Sequence, residues 1–334
     1  MTAFRRIGVL GAGAWGTALA ASLYRKAEHS SPDIPVWALE EDVARALSRG
    51  QGNPTYLPDI ELPKMTASTD ISVLAGCDAV LAVVPAQFAR TTLSQLAPHI
   101  RPDTPVLLCA KGIEQASLKM MTEVIADAIP HAVPAVLSGP SFAVDVAQGR
   151  PTAVTLACAD AAIGAGLMEA IGQPAFRPYG SSDLIGAEIG GAVKNVLAIA
   201  CGIVEGLDLG KSAHAALIAR GFAEMTRLGV AIGGQAETLA GLCGLGDLVL
   251  TCSSPQSRNM SFGLALGQGR SAEQVLADRQ SVTEGVATAP ALVALADQHA
   301  VDMPICGAVQ AVLSDQITVA DAMSALLSRP YKGE

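Results

Sequence analysis

One lysine lies in an otherwise apolar helical stretch. Between Glu188 and Glu205, Lys194 is the only ionisable side chain apart from Cys201. A helix that is apolar nearly all round is normally buried, and a buried ammonium group is costly unless it is paired or its pKa falls. A lysine with a lowered pKa can act as a general acid or base near neutral pH. Lys194 is therefore a candidate for proton transfer. The alternative is a lysine whose aliphatic stem carries its charge to the surface.

An aspartate and a threonine follow at helical spacing in a second segment. Asp247 comes directly after Gly246, and Thr251 lies four residues further on. If a helix starts at Leu248, Asp247 is its N-cap and Thr251 lies one turn along on the same face. A plain helix cap and a role at an active site both remain open for Asp247.

A third segment has the composition of an anion site. Ser254 and Pro255 predict a helix start, with Ser254 as the N-cap and Pro255 at the first helical position. Ser257, Arg258 and Asn259 then fall in or near the first turn, where the N–H groups and the helix dipole favour an anion. The guanidinium fork of Arg258 suits a phosphate or a carboxylate. The alternative is a solvated arginine on a helix face.

Three glycines near the N-terminus indicate where a cofactor binds. Gly11, Gly13 and Gly16 fit the pattern G-x-G-x-x-G between a predicted strand and a predicted helix. Gly11 permits a tight turn, Gly13 lets the backbone approach a pyrophosphate, and Gly16 lets the helix lie close to its strand. The second predicted strand ends at Glu40, about where a dinucleotide fold places an acidic residue for the ribose.

The elements around these residues form two groups. Up to about residue 182, short apolar runs alternate with helical stretches, which predicts a parallel sheet covered by helices on both faces. From there on, almost every stretch reads as helix. We therefore predict an α/β fold, with a Rossmann-type doubly wound domain over residues 1–182 and an all-α domain over residues 183–334. Besides the run before Gly11, the predicted strands are 34–39, one near Met65, 79–84, 105–110, 134–137, 153–157 and about 175–179.

Composition excludes several classes of protein. The net charge of −9 argues against a nucleic-acid or anionic-membrane surface, since both need broad basic patches. The apolar stretch 189–204 contains Lys194 and is shorter than the roughly 20 residues of a membrane span. The seven cysteines show no C-x-x-C spacing, and the N-terminus leads almost directly into a strand. Both features favour a reducing, cytoplasmic setting. The five histidines lack ligand spacing, so we expect no metal site.

Six segments together resemble one family, the bacterial NAD(P)-dependent sn-glycerol-3-phosphate dehydrogenases. The resemblance extends over nearly the whole chain, and six motifs in the right order are more specific than any one of them. The matching segments are residues 11–20, 110–114, 138–143, 190–196, 244–252 and 256–259.

The resemblance implies a role for each matching residue. Lys194 would accept the proton when glycerol 3-phosphate is oxidised, and donate it when dihydroxyacetone phosphate is reduced. Lys111 would contact the substrate beside the nicotinamide, while Asp247 and Asn195 would hold Lys194 and the substrate hydroxyls. The substrate-binding candidates are Lys111, Gly139, Ser141, Lys194, Asp247, Thr251, Ser257, Arg258 and Asn259, of which the last three would grip the phosphate. The cofactor-binding candidates are Gly11, Gly13, Ala14, Trp15, Gly16, Glu40, Lys111, Ala143, Arg258, Val282 and Glu284.

The sequence departs from this family at the end of the second strand. Many members carry His or Arg where an NADP phosphate would lie, but here Leu39 is followed by Glu40 and Glu41. Carboxylates suit a ribose 2′-hydroxyl and repel a 2′-phosphate, so the sequence favours NAD over NADP. Arg45 or Arg49 could still reach back to a phosphate.

Two other functions stay open on the sequence alone. One is a related β-hydroxyacid or 6-phosphogluconate-type dehydrogenase, and the other is a protein that senses dinucleotides without turnover. The segment from Ser257 to Asn259 and the turn at Lys111 favour the glycerol-3-phosphate enzyme, and a buried base at Lys194 has no use in a mere sensor. The family further implies a homodimer that supplies glycerol 3-phosphate for glycerophospholipid synthesis.

Overall fold

A computed structural model describes residues 4–27, 33–279 and 282–330. The chain divides into two compact units. The first comprises Met1–Ala110 and Met120–Ala187, and the second comprises Lys111–Lys119 and Glu188–Glu334. The sequence places the short segment Lys111–Lys119 in the N-terminal domain, yet it groups with the second unit. Its residues hydrogen-bond to that unit, as when the Gln115 amide donates to the Ala287 carbonyl at 2.8 Å.

The first unit is built on one eight-stranded sheet, in the order β3-β2-β1-β4-β5-β6-β7-β8. Neighbouring strands are parallel except for the antiparallel pair β6–β7. The predicted doubly wound fold is thus confirmed, and the antiparallel pair is the feature that the sequence did not predict. The strands are β1 Ile7–Leu10, β2 Pro35–Trp37, β3 Thr66–Ser68, β4 Ala79–Ala82, β5 Pro105–Leu108, β6 Val133–Ser138, β7 Thr152–Cys158 and β8 Phe176–Ser181.

Alternation along the central strands sends side chains into two separate cores. In β4, for example, Leu81 packs into one core and Val80 into the other, as the two-residue period of a strand requires. The first core is covered by helices α1 Ala14–Ala27, α2 Glu41–Arg49, α5 Ala143–Ala147 and α6 Ala161–Ile171. The second is covered by α3 Ala86–Leu96 and α4 Met121–Ala128. Both faces of the sheet are therefore buried, which explains why its strands read as continuous apolar runs.

The second unit is helical, as predicted. Its helices are α7 Leu184–Gly206, whose first turn belongs to the first unit, α8 Gly210–Ala231, α9 Ala236–Ala240, α10 Asp247–Ser253, α11 Arg258–Gly267, α12 Ala272–Ala277, α13 Glu284–Gln298, α14 Pro304–Leu313 and α15 Val319–Leu327. A π-helical turn, Leu242–Gly246, leads directly into α10. In the second unit, other helices thus pack around the buried part of α7.

Glycines let α7 and α11 lie in direct backbone contact. A Cβ atom on Gly202 would lie 2.0 Å from the Met260 carbonyl oxygen, and one on Gly263 would lie 1.9 Å from that of Ile199. Any side chain at either position would therefore force the two helices apart. The close approach matters for the site because it brings polar side chains near the start of α11 within reach of those on α7.

Helix α7 is longer than the apolar stretch suggested. It has 23 residues, so the sequence-based argument that it is too short to span a membrane was wrong. The helix gains a turn before residue 189 because Asp183 caps it, its Oδ1 accepting from the Gly186 N–H at 2.8 Å. By length and composition α7 is the one helix in the described part of the chain that could cross a membrane, but 94% of its apolar window is buried inside the protein.

Candidate active site

A buried carboxylate in the second unit is held between two lysines. Oδ2 of Asp247 accepts a hydrogen bond from Nζ of Lys111 at 2.7 Å, and its Oδ1 lies 3.0 Å from Nζ of Lys194. The Lys194 ammonium also donates to the Thr251 hydroxyl at 2.8 Å, and that hydroxyl donates to Oδ1 of Asp247 at 3.2 Å. Four residues that the sequence singled out from three separate segments therefore form one polar cluster.

The start of α10 explains how Asp247 reaches the lysines. The predicted N-cap role of Asp247 was wrong, because Asp247 is already the first residue of the helix and Gly246 precedes it with helical backbone angles. The π-helical turn before α10 continues the helical path, so the start of α10 does not need the Asp247 carboxylate to accept a hydrogen bond from an unpaired N–H group. The predicted spacing to Thr251 was correct, since the two side chains meet across one turn.

Charge and burial act in opposite directions in this cluster. Lys194 is 7% exposed, and burial is the main cause that lowers its pKa to about 8, against the attraction of Asp247. Burial alone would raise the pKa of Asp247, but the charges of Lys111 and Lys194 and their hydrogen bonds hold it below its usual value. Asp247 therefore stays ionised while Lys194 can gain or lose a proton near neutral pH.

A chain of amide hydrogen bonds fixes the backbone at Lys111. The Gly285 N–H donates to Oδ1 of Asn259, Nδ2 of Asn259 donates to Oδ1 of Asn195, and Nδ2 of Asn195 donates to the Lys111 carbonyl, each at 2.9 Å. The first donor is a backbone N–H, so the orientation of both amides follows from it. Asn195 and Asn259 thus reach Lys111 rather than the Lys194 ammonium, and they position the segment that carries Lys111.

The anion segment begins later than the sequence indicated. Ser254 was predicted as the N-cap, but α11 starts at Arg258 and Ser257 caps it, its Oγ accepting from the Met260 N–H at 3.2 Å. Ser257 is buried and the Arg258 side chain is exposed. As predicted, Ser257 to Asn259 occupy the helix start, where a phosphate would meet N–H groups and the positive end of the dipole.

The glycine turn of the first unit has the backbone that the motif predicts. Gly11 has φ +113°, and a Cβ atom on Gly16 would lie 1.8 Å from the Gly11 carbonyl oxygen. A Cβ atom on Gly13 would have no described atom within 4 Å, so the space beside it is open. Ala14 and Trp15 begin α1, and the buried Nε1–H of Trp15 has no hydrogen-bond partner among the described residues. The turn fits a pyrophosphate at the helix N-terminus.

Asn53, which is not among the residues predicted from the sequence, supports this turn. Its Nδ2 donates to the Ala12 carbonyl at 3.0 Å and to the Thr17 hydroxyl at 2.8 Å. Thr17 in turn donates to the same carbonyl at 3.0 Å. Asn53 lies in a Pro/Gly-containing loop with no local signal of a role, so only the folded chain reveals it.

The acidic residue after β2 is held by a tyrosine. Oε1 of Glu40 accepts from the Tyr56 hydroxyl at 2.7 Å, and this bond raises the pKa of Tyr56 to about 12. Arg45 pairs with Asp42 and lies 4.0 Å from Glu41, both on its own helix. The end of β2 therefore presents a fixed carboxylate, and Arg45 is engaged by two acids.

The remaining candidates lie on two other loops and helix starts. Gly139 follows β6 with φ +145°, and the Ser141 hydroxyl donates to its carbonyl at 3.0 Å, just before Ala143 opens α5. In the second unit Val282 is exposed, and Glu284 opens α13 close enough to Lys194 for its charge to raise that lysine's pKa. The proximity of Glu284 to Lys194 is a feature that the sequence did not show. The described residues contain no cluster of His, Cys, Asp or Glu suited to a metal ion.

Comparison with known proteins places the chain in a family. Residues 6–163 match the N-terminal part of NAD-dependent glycerol-3-phosphate dehydrogenase, and residues 183–324 match its C-terminal part. The glycerol-3-phosphate dehydrogenase (NAD(P)+) of Maricaulis maris is 61% identical over 99% of this chain and 98% of its own length. That of Caulobacter vibrioides is 58% identical over 99% of both chains.

A solved structure agrees with this assignment. The crystal structure of glycerol-3-phosphate dehydrogenase from Coxiella burnetii is 39% identical and superposes with a TM-score of 0.91, covering 97% of this chain and 99% of its own. These matches confirm the predicted family. The chain belongs to the NAD(P)-dependent glycerol-3-phosphate dehydrogenases, oxidoreductases that act on the CH–OH group of a small phosphorylated substrate.

Proposed function

We propose that Lys194 is the general acid and base that interconverts dihydroxyacetone phosphate and sn-glycerol 3-phosphate. The observation that carries this proposal is the contact of its ammonium group with Asp247 and Thr251 in a buried site, where its pKa is about 8. A lysine near its pKa at neutral pH donates and accepts a proton with little bias in either direction.

The proton and the hydride move to different atoms of the substrate. In the reducing direction, protonated Lys194 gives a proton to the C2 oxygen of dihydroxyacetone phosphate as C2 gains a hydride, and the lysine is left neutral. In the oxidising direction, neutral Lys194 takes the hydroxyl proton as C2 loses the hydride. The nicotinamide, when bound, supplies or accepts that hydride. No metal ion is needed to balance these steps.

Asp247 and Lys111 prepare Lys194 for both directions. The Asp247 carboxylate stabilises the ammonium form of Lys194, whereas the nearby charge of Lys111 lowers the pKa of Lys194. The two opposing charges help to keep the pKa of Lys194 near neutral pH, where the lysine can both donate and accept a proton. The ammonium group of Lys111 donates to Oδ2 of Asp247, and its carbonyl accepts from Asn195. Because these two bonds fix its position, we propose that Lys111 orients the substrate oxygen.

The start of α11 is proposed as the phosphate site. Arg258 supplies an exposed guanidinium there, and Ser257 and Asn259 flank it in the first turn. A planar guanidinium binds a phosphate through two parallel hydrogen bonds, and the helix dipole adds to the attraction. Both ends of the Asn259 amide already bond within the protein, so Arg258 is the residue we expect to dominate phosphate binding.

The first unit fits a dinucleotide, and we propose that NAD is preferred to NADP. Residues 11–16 would hold the pyrophosphate and Ala143 would contact the cofactor, whereas Gly139 and Ser141 would contact the substrate. Glu40, fixed by Tyr56, would accept a hydrogen bond from the ribose 2′-hydroxyl and repel a 2′-phosphate. The pairing of Arg45 with Asp42 and Glu41 supports the preference, because it reduces the positive charge available to that phosphate.

The assignment of domains and the cellular setting are also proposals. Residues 1–182 would bind the dinucleotide and residues 183–334 the substrate, with Lys111 joining the substrate side from the N-terminal half of the sequence. The family resemblance further supports a cytoplasmic homodimer that supplies sn-glycerol 3-phosphate for glycerophospholipid synthesis. A solution mass of about twice 34.0 kDa by sedimentation would support the dimer, and a monomer mass would contradict it.

Turnover with the two reduced cofactors tests the proposal. Purified protein is mixed with dihydroxyacetone phosphate, and the loss of NADH and of NADPH absorbance is followed separately. We expect turnover with both, and a kcat/KM about tenfold higher with NADH, since one unfavourable charge contact of about 1.4 kcal/mol corresponds to that factor. Equal or better use of NADPH would overturn the role of Glu40, and no turnover with either cofactor would overturn the proposed reaction.

A further inference from the structure

Arg279 makes contacts at the start of α11 that none of the assigned roles explains. Its Nη1 donates to the Arg258 carbonyl at 2.7 Å, and its Nη2 donates to the Ser261 hydroxyl at 3.0 Å. That hydroxyl donates to the same Arg258 carbonyl at 3.1 Å. The guanidinium of Arg279 and the first turn of α11 thus form a closed set of hydrogen bonds around one backbone oxygen.

Two further contacts fix the position of Arg279 itself. Its guanidinium carbon lies 5.4 Å from the ring centre of Phe262, within the range of a cation–π interaction. Phe262 is fully buried, so the ring is a rigid support. Nη1 of Arg279 also lies 3.5 Å from the hydroxyl of Thr283, which precedes the first residue of α13. Arg279 therefore connects the starts of α11 and α13.

Burial and two neighbouring arginines act against the charge on Arg279. Burial lowers the pKa of Arg279, and the charges of Arg258 and Arg270 lower it further. Arg270 pairs with Asp278 and donates to the Gln274 carbonyl. The contacts with the Arg258 carbonyl and the Ser261 hydroxyl therefore hold Arg279 at a position where burial and neighbouring cations disfavour its charge.

We infer that Arg279 is a positioning residue for phosphate binding, acting through Arg258. The Arg279 guanidinium rests on the Phe262 ring and holds the Arg258 carbonyl, and so fixes the direction in which the Arg258 side chain leaves the helix. A guanidinium that leaves a fixed backbone loses less entropy when it binds a phosphate. The inference deepens the proposed function and rests on the assignment of Arg258 to the substrate phosphate.

Steady-state kinetics on single and double variants test this inference. In Arg279→Leu we expect the KM for dihydroxyacetone phosphate to rise about tenfold, with kcat within about twofold, because uniform binding is lost and the chemistry is not. The inhibition constant of inorganic phosphate should rise by the same factor. Arg279→Lys keeps the charge but cannot make both hydrogen bonds, so its KM should rise only about threefold.

Two further variants separate the contacts of Arg279 from its charge. Arg270→Leu removes a nearby charge without touching the Arg258 carbonyl, and its KM should stay within about twofold of the wild type. In Arg258→Ala with Arg279→Leu, KM should match that of Arg258→Ala alone, because a residue that acts through Arg258 has nothing left to position.

The outcomes distinguish this inference from the proposed phosphate site. A raised KM in Arg258→Ala beside an unchanged KM in Arg279→Leu would overturn the inference alone. Additive effects in the double variant, or a fall in kcat equal to the rise in KM, would also overturn it, because either result indicates a separate or merely structural role. An unchanged KM in Arg258→Ala would overturn the proposed phosphate site, and the inference with it.

Discussion

Two carboxylates in the second unit are almost equally buried, but their pKa values are shifted in opposite directions. Asp247 is 1% exposed and Glu224 is 2% exposed. Asp247 faces two lysines, which hold its pKa below the usual value against the effect of burial. Burial raises the pKa of Glu224, and the hydrogen bonds it accepts from backbone N–H groups only reduce that rise. Burial alone therefore does not mark a functional acid, and the groups that face the carboxylate decide its role.

The partners of Glu224 show what the second carboxylate does. Its Oε1 accepts from the Ile305 N–H at 2.8 Å and its Oε2 from the Cys306 N–H at 3.2 Å. These groups lie in the first turn of α14, which begins with Pro304 and has no side-chain cap of its own. Glu224 on α8 therefore caps α14 from outside, where a negative charge also meets the positive end of the helix dipole.

Acid affects the two carboxylates in opposite ways. The folded-state pKa of Asp247 is lowered, so its contribution to stability is present above its unfolded pKa and is lost as pH falls through the folded pKa. The folded-state pKa of Glu224 is raised, so the part of its stabilisation that depends on protonation is fully present below its unfolded pKa and is lost as pH rises through the folded pKa. Loss of stability in acid should therefore depend on Asp247 and not on Glu224.

Removing the ammonium of Lys194 should have the largest effect. Lys194→Met keeps most of the aliphatic stem and leaves Asp247 paired with Lys111, so we expect a fold that binds NADH normally. The kcat for reduction should fall about a thousandfold, within the range of a lost general acid. The control is Lys211→Met, which removes an exposed lysine of the same unit and should leave kcat within about twofold. A kcat within tenfold of wild type in Lys194→Met would contradict the assignment.

Neutralising Asp247 should have the next largest effect. Asp247→Asn keeps the shape but removes the charge that favours the ammonium form of Lys194, so kcat for reduction at pH 7 should fall about a hundredfold. The midpoint of its pH dependence should also move to lower pH. As a control, Asp208→Asn changes an exposed aspartate of the second unit and should change neither quantity. A normal kcat in Asp247→Asn would show that the Asp247 carboxylate has no role in catalysis.

Removing Glu224 should change stability and not catalysis. Glu224→Ala leaves two N–H groups of α14 without their acceptor, so we expect the free energy of unfolding to fall by about 2–3 kcal/mol. The kcat and KM of the folded variant should stay within about twofold. Denaturant titration measures the loss, and Glu237→Ala, which changes an exposed residue on α9, should change stability by no more than about 0.5 kcal/mol. A large loss of kcat with unchanged stability would show that both carboxylates are functional.

Local patterns in the sequence were enough to predict the sheet and to single out several residues of the polar cluster. Apolar runs ending in turns gave the strands of the first unit, because a strand buried on both faces has a continuous apolar sequence. Lys194 was identified because an ammonium in an apolar helix is costly, and the structure places it in a buried ionic cluster. The glycine turn was identified because each of its glycines meets a separate steric requirement. At Gly16, for example, a Cβ atom would lie 1.8 Å from the Gly11 carbonyl oxygen.

Long-range partnerships could not be predicted in the same way. Lys111 and Asp247 are 136 residues apart, and no local pattern indicates that they meet. Ser254 and Ser257 are equally suitable as N-cap residues by type. Only the folded chain shows that Ser257 is the cap, because its hydroxyl accepts from the Met260 N–H. Asn53, Glu224 and Arg279 act on backbone groups of distant segments, so their sequence neighbourhoods show no sign of a role.

The pH dependence of kcat/KM for dihydroxyacetone phosphate reduction tests the central claim most directly. It is measured at saturating NADH from about pH 7 to about pH 10, with the oxidation of sn-glycerol 3-phosphate followed over the same range. If Lys194 has a pKa of about 8 and transfers the proton, reduction should fall tenfold per pH unit above that value, and oxidation should rise with pH and level off there. A reduction rate that stays flat beyond about pH 9.5, or a midpoint unchanged in Asp247→Asn, would contradict the account.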